Sequence, residues 1–318
     1  MELLPALESC SAPLATLRAP PRPAGLWAAR RQRSASLREA ATADQPTATE
    51  SWPGGRLAWH RRPTQRVEAA PSTPPIVILP GFGNCTEDYV LGLGEPANSL
   101  VNCLQERGFH SQVVQVKRSD WLQALRGLLT RQYWQQKCQP AASYGWYLAR
   151  VQQAVNLARE QTGHSQVILV GHSAGGWLGR AFMADPMYFE SPPARPDDPH
   201  QAVSQLVSLG TPHSAPAAAR DMTGGALTWV NQTFPGAHFM DHGIMYTCVA
   251  GRTVRGDCKA GRRSIERYSY GSYAQVCGEG QGAEGDGVVP YQSALLQGAN
   301  NLLLGWLDST SEAVFGAS

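Results

Sequence analysis

The sequence predicts an α/β fold, a mostly parallel central sheet of about six strands with helices on both faces. Three observations predict it. Short, apolar, β-branched runs recur along the chain, each too short for a helix and suited to burial on both faces. An amphipathic helix lies between the second and third of these runs. A glycine-flanked serine stands where the third run gives way to a helix. Strand–helix alternation of this kind closes into a parallel sheet with right-handed crossovers. At 318 residues, 42% hydrophobic and only 16% charged, the chain can fill such a core.

The body begins abruptly at Pro74-Pro75, followed by the run Ile76-Val77-Ile78-Leu79. Later runs fall at 113–116, 167–170, 206–209, 244–250 and 301–304. In the helix before the third run, Ser143 is placed to cap the start. Tyr147, Leu148, Val151, Val155 and Ala158 share one face, and Gly163 ends it. Residues 213–243 break the alternation. They are long for a crossover and carry Met222, Leu227, Trp229, Val230, Phe234, Phe239 and Met240. Such a stretch is either a lid-like insertion or an ordinary packed helix with an extended lead-in.

Residues 1–70 are of another kind. They hold ten Arg, no Lys and six acidic residues, whereas the remainder carries 17 basic and 19 acidic. Arg30, Arg31, Arg33 and Arg38, with Ser34 and Ser36 between them, have the style of an organellar transit peptide. Val67-Glu68-Ala69-Ala70 resembles a plastid processing site, so a chloroplast address is expected, with the mitochondrion as the alternative. The body has no basic excess that would suit nucleic acid. No run approaches the roughly 18 consecutive apolar residues of a transmembrane segment. Among the seven cysteines there is no C-x-x-C pair, which argues against zinc, and nothing calls for a metal or an organic cofactor.

The most informative run is Val167-Ile168-Leu169-Val170-Gly171-His172-Ser173-Ala174-Gly175-Gly176. It contains G-x-S-x-G between a buried strand and a helix. A serine on so sharp a turn needs small residues two before and two after it, and its hydroxyl is presented at the carboxyl edge of the sheet. Ser173 is therefore the candidate nucleophile. Acyl transfer also requires donors for an oxyanion. One is the backbone N–H of Ala174. The other is assigned to Phe82 N–H, in the loop Pro80-Gly81-Phe82-Gly83-Asn84 after the first strand. The expected chain order is nucleophile, acid, then base. Asp286, in Gly285-Asp286-Gly287-Val288-Val289-Pro290, is the candidate acid.

These motifs, together with Leu209-Gly210-Thr211-Pro212-His213, give a chain that resembles an α/β-hydrolase of the lipase type over residues 74–304. It is nearest to plant and algal lipases related to the GPI inositol-deacylases. The resemblance implies a serine ester hydrolase acting on a lipid or other apolar acyl ester, with water as the second substrate. The apolar 213–243 segment could bring it into peripheral contact with a membrane.

One part is missing. In such lipases the base is a histidine roughly twenty residues past the acid, just after the last strand. Here residues 305–318 form an atypical tail, and no histidine follows His242. Three explanations stand. The chain beyond about Leu304 is altered by a lost or misjoined exon; or another histidine substitutes, of which His213 is the candidate; or the protein binds without catalysing.

Overall fold

The computed structural model describes residues 73–92, 94–184, 199–215 and 221–305. The transit-peptide-like segment 1–70 and the tail from residue 306 lie outside the described residues. Six strands form one sheet: β1 (Ile76–Leu79), β2 (Ser111–Val113), β3 (Val167–His172), β4 (Val203–Leu209), β5 (Met245–Arg252) and β8 (Asn300–Gly305). Their order is β2-β1-β3-β4-β5-β8 and every pairing is parallel. Between β5 and β8 an antiparallel ribbon, β6 (Val254–Arg255) with β7 (Glu284–Gly285), stands apart.

Three helices fill one face of the sheet. These are α4 (Pro140–Thr162), α5 (Ala174–Ala184) and α6 (Ala226–Thr233); α1 (Glu87–Val90), α2 (Leu100–Gln105) and α3 (Arg131–Trp134) precede them. Val77, Leu79, Leu169 and Leu206 alternate inward against Tyr147, Leu148, Val151, Trp177 and Phe182. On the other face, Ile76, Ile78, Val113 and Val170 pack against Tyr89 of α1 and against Leu100, Val101 and Leu104 of α2. No described helix is long and apolar enough to cross a membrane.

Several boundaries differ from the sequence expectation. The second strand runs 111–113 rather than 113–116. Val114 N–H still reaches Ile78 O (3.0 Å), but Thr86 then takes both the N–H and the C=O of Val116 and draws the chain out of the ladder. Helix α4 starts at Pro140, whose missing N–H costs nothing in the first turn, so Ser143 lies inside the helix and caps nothing. Gly163 ends it as expected, in the left-handed region at φ 72°.

The 213–243 segment takes the second of its two expected forms. Leu227, Val230 and Phe239 are buried in the main core, and Trp229 and Phe234 pack against it. Asn231 Oδ1 and Phe234 O, both in this segment, each accept a bond (2.8 Å) from the buried guanidinium of Arg180 on α5. Burial lowers the Arg180 pKa to about 10, and the guanidinium holds the segment onto α5. Residues 226–239 thus belong to the core, while Met222 and Met240 are exposed.

Candidate active site

The site is built where β3 ends. Ser173 directly follows that strand and holds φ at +50°, one of two non-glycine residues in the described chain with positive φ. This conformation costs a side-chain-bearing residue of order 1–3 kcal/mol, and it persists only where its surroundings enforce it. The enforcement is visible. Ser173 N–H donates to Leu209 O (2.9 Å) and Ser173 O accepts from Gly176 N–H (3.1 Å). The glycines leave no room for alternatives. A Cβ on Gly171 would stand 2.4 Å from the Gly176 Cα, one on Gly175 2.2 Å from the Leu79 carbonyl oxygen, and one on Gly176 2.0 Å from Thr211 Oγ1. Ser173 is half-buried, and its Oγ makes no hydrogen bond to any described residue.

Beside it lies the loop after β1. A Cβ on Gly81 would come within 2.9 Å of the Ser173 Cβ, so only glycine lets that loop close over the elbow. The loop is fixed from three sides. Tyr147 Oη donates to Pro80 O (2.8 Å), Gly81 N–H donates to Tyr89 Oη (3.0 Å), and Trp121 Nε1 donates to Asn84 O (2.7 Å). Phe82, next in the chain, has no acceptor for its N–H among the described residues. Ala174 opens α5, so its N–H precedes the intrahelical ladder and adds to the positive end of the helix. Neither assigned oxyanion donor, Ala174 N–H or Phe82 N–H, is bonded to a described residue outside the helix ladder.

Sequence reasoning missed Tyr89, which joins the oxyanion loop to the elbow. Its hydroxyl accepts from Gly81 N–H and from Asn84 Nδ2 (3.3 Å), and it lies 2.8 Å from His172 Nδ1. With both lone pairs used, the remaining proton goes to Nδ1, and His172 carries its own proton on Nε2. Burial lowers the His172 pKa, against a smaller raising effect of Asp286, and lifts Tyr89 to about 12. Tyr89 is eight residues from Gly81 and 83 from His172. No local pattern marks it.

Asp286 sits over the carboxyl ends of the neighbouring strands. Its Oδ1 accepts from Val288 N–H (2.8 Å) and Val289 N–H (2.7 Å), which fixes the carboxylate in its own turn. Its Oδ2 lies 2.7 Å from where a Cβ on Gly210 would be, and its Cβ 2.9 Å from one on Gly251. Gly210 follows Leu209, the residue that holds Ser173 N–H. Nucleophile and acid therefore meet around the end of β4.

No described histidine hydrogen-bonds the Ser173 hydroxyl. His110, His164, His200, His238 and His242 all precede strands of a parallel sheet and so lie at its amino edge, about 20 Å from the carboxyl edge where Ser173 stands. His172 is committed to Tyr89. His213, the candidate substitute base, is 2% exposed and faces inward, with Nε2 3.0 Å from Ser208 Oγ and 3.6 Å from Cys248 Sγ. Burial, with a smaller effect of Arg180, holds its pKa well below 6.5. A buried imidazole turned into the core cannot take a proton from Ser173.

That burial makes His213 an acid-sensitive element. Unfolded, the ring titrates near its ordinary 6.5; folded, it stays neutral to lower pH. In that window the unfolded chain binds the extra proton, so stability is intact above 6.5 and is lost as pH falls below it. His213→Gln removes the titration and keeps a partner for Ser208. The fall in melting temperature from neutral to mildly acidic pH should be shallower in that variant, and parallel curves would contradict this role.

A strained serine at a strand-to-helix corner, closed over by the Gly81 loop, with a carboxylate over the next strand, stands at the carboxyl edge of a parallel α/β sheet. The chain belongs to the α/β hydrolase fold family, whose model matches residues 74–304. No curated protein matches it. Among solved structures it is similar to the mature lipase BlEst2 of Bacillus licheniformis (18% identity, 75% of this chain and 85% of that one, TM-score 0.45). It is also similar to lipase 1 of Pelosinus fermentans (14%, 73% and 91%, 0.41) and to EstA of Clostridium botulinum (11%, 76% and 82%, 0.41).

Proposed function

We propose that the chain is a serine carboxylic-ester hydrolase acting on a lipid or other apolar acyl ester through an acyl-enzyme. The observation that carries this is Ser173, held at φ +50° with an unbonded hydroxyl between the Gly81 loop and the start of α5. Ser173 Oγ attacks the acyl carbonyl carbon, Ala174 and Phe82 N–H receive the oxyanion, the alcohol leaves, and water then cleaves the acyl-enzyme. Asp286 is the acid of this set. Among the described residues no histidine is in reach of the Ser173 hydroxyl, so with these residues alone its proton passes to solvent and turnover is slow. An apolar acyl group is supported by exposed Phe82 and Val288, which belong to the oxyanion loop and the acid loop.

The closer resemblance to inositol deacylases rests on the sequence motifs alone, as does the chloroplast address. That no described histidine reaches Ser173 favours a second reading, a fold retained to bind apolar acyl compounds. Hydrolysis of p-nitrophenyl esters of increasing acyl length separates the two. The hydrolase reading expects a weak, enzyme-dependent rate that rises with acyl length and disappears in Ser173→Ala. A rate unchanged in that variant leaves only the binder.

A further inference from the structure

We propose that the outer face of the 3₁₀ helix Arg118–Leu129 docks the protein onto a membrane surface rich in anionic lipid. A 3₁₀ helix repeats every three residues, so side chains three apart share a face. Its inner face reads Trp121, Ala124, Gly127. Trp121 is buried, Ala124 packs on the main core, and a Cβ on Gly127 would stand 2.0 Å from Ser143 Oγ of α4. Its outer face reads Leu122 and Leu125, 65% and 53% exposed, and Leu129, 89% exposed, ends the helix on the adjacent face, in register with Arg126. Single exposed leucines are ordinary on a protein surface, but three on one short element mark a contact surface.

The charge around this stripe selects the occupant. From Lys117 to Lys137 the chain carries five basic residues and one acidic residue, Asp120. Asp120 is engaged by Arg150, and Arg118 by Asp88. Arg126, Arg131 and Lys137 are exposed and belong to none of the ion pairs among the described residues. Apolar side chains flanked by unpaired cations fit the boundary between acyl chains and anionic head groups. A second copy of this region would be repelled by the same charges.

The surface is also tied to the site. Trp121, on the inner face, lies 5.1 Å from the Phe82 ring and donates to Asn84 O, while Arg118 Nη1 donates to Gly83 O (3.0 Å). Docking would thus set the loop that bears Phe82 N–H at the lipid surface. The inference does not depend on turnover at Ser173, because its test reads binding alone.

The full chain is sedimented with vesicles of phosphatidylcholine alone and of phosphatidylcholine mixed with phosphatidylglycerol. Partition should favour the anionic vesicles by at least about tenfold and fall as salt is raised. Arg126→Gln with Arg131→Gln and Lys137→Gln should weaken it about a hundredfold, roughly fivefold for each charge. Leu122→Ser with Leu125→Ser and Leu129→Ser should weaken it by about tenfold for each leucine. All six side chains are exposed, so melting temperatures should match the parent, and the salt dependence of the unaltered chain tests the charge argument without any variant. Equal binding to neutral vesicles, binding untouched by either set, or no binding to either vesicle overturns the proposal.

Discussion

Replacing Asp286 by Asn should leave the residual ester hydrolysis of this chain within a few-fold of its starting rate. In a complete triad the same change costs about ten-thousandfold, because the carboxylate orients and stabilises the imidazole that carries the proton. Here no described imidazole stands between Asp286 and Ser173. Asn keeps an Oδ1 to accept from Val288 and Val289 N–H, so the turn should survive and the comparison isolate the electrostatic role. The absolute rate should lie about a millionfold below that of a serine hydrolase with all its parts, a deficit of about 8 kcal/mol in transition-state stabilisation. Steady-state hydrolysis of an activated ester checks both. A loss of a thousandfold or more in Asp286→Asn would reveal a base working through that carboxylate.

Gly175→Ala should destabilise the protein by about 3 kcal/mol or more and abolish what activity there is. Small-to-large changes in packed interiors ordinarily cost about 1–3 kcal/mol because neighbouring side chains yield. The obstacle here is backbone. The new methyl would lie 2.2 Å from the carbonyl oxygen of Leu79, the last residue of β1, and 2.9 Å from its carbonyl carbon. Moving Leu79 would shift the loop that places Phe82 N–H. Denaturant midpoints compared with the parent give the answer. A loss under 1 kcal/mol would mean that the corner is looser than described.

How legible each part was in the sequence follows from how local its cause is. The elbow was legible because its requirements, a buried strand, small flanking residues and a helix start, fall within one ten-residue stretch. The turn that carries Asp286 was legible for a similar reason, since it is closed by the amides of Val288 and Val289, two and three residues on. The six strands were legible as apolar runs, although Thr86, 28 to 30 residues away, shortened β2 in a way the run could not announce. The bond from Tyr89 to His172 spans 83 residues and left no pattern.

Apolar composition alone misled over 213–243. It counts side chains without telling which way they face, and here Leu227, Val230 and Phe239 face the core while Met222 and Met240 are exposed. The exposed leucines lie instead on a helix of period three, which the 3.6-residue helical template does not detect. The positions of the histidines were readable in principle. Each of the five at the amino edge shortly precedes a strand, and in a parallel sheet that alone places it at the wrong end.

The most direct measurement is the site and pace of covalent modification by a fluorophosphonate, followed by intact-mass analysis and peptide mapping. A strained, unbonded hydroxyl with no described base beside it should give one slow adduct, carried by Ser173 and absent in Ser173→Ala. An adduct on another residue, or complete labelling of Ser173 within seconds, would contradict the account.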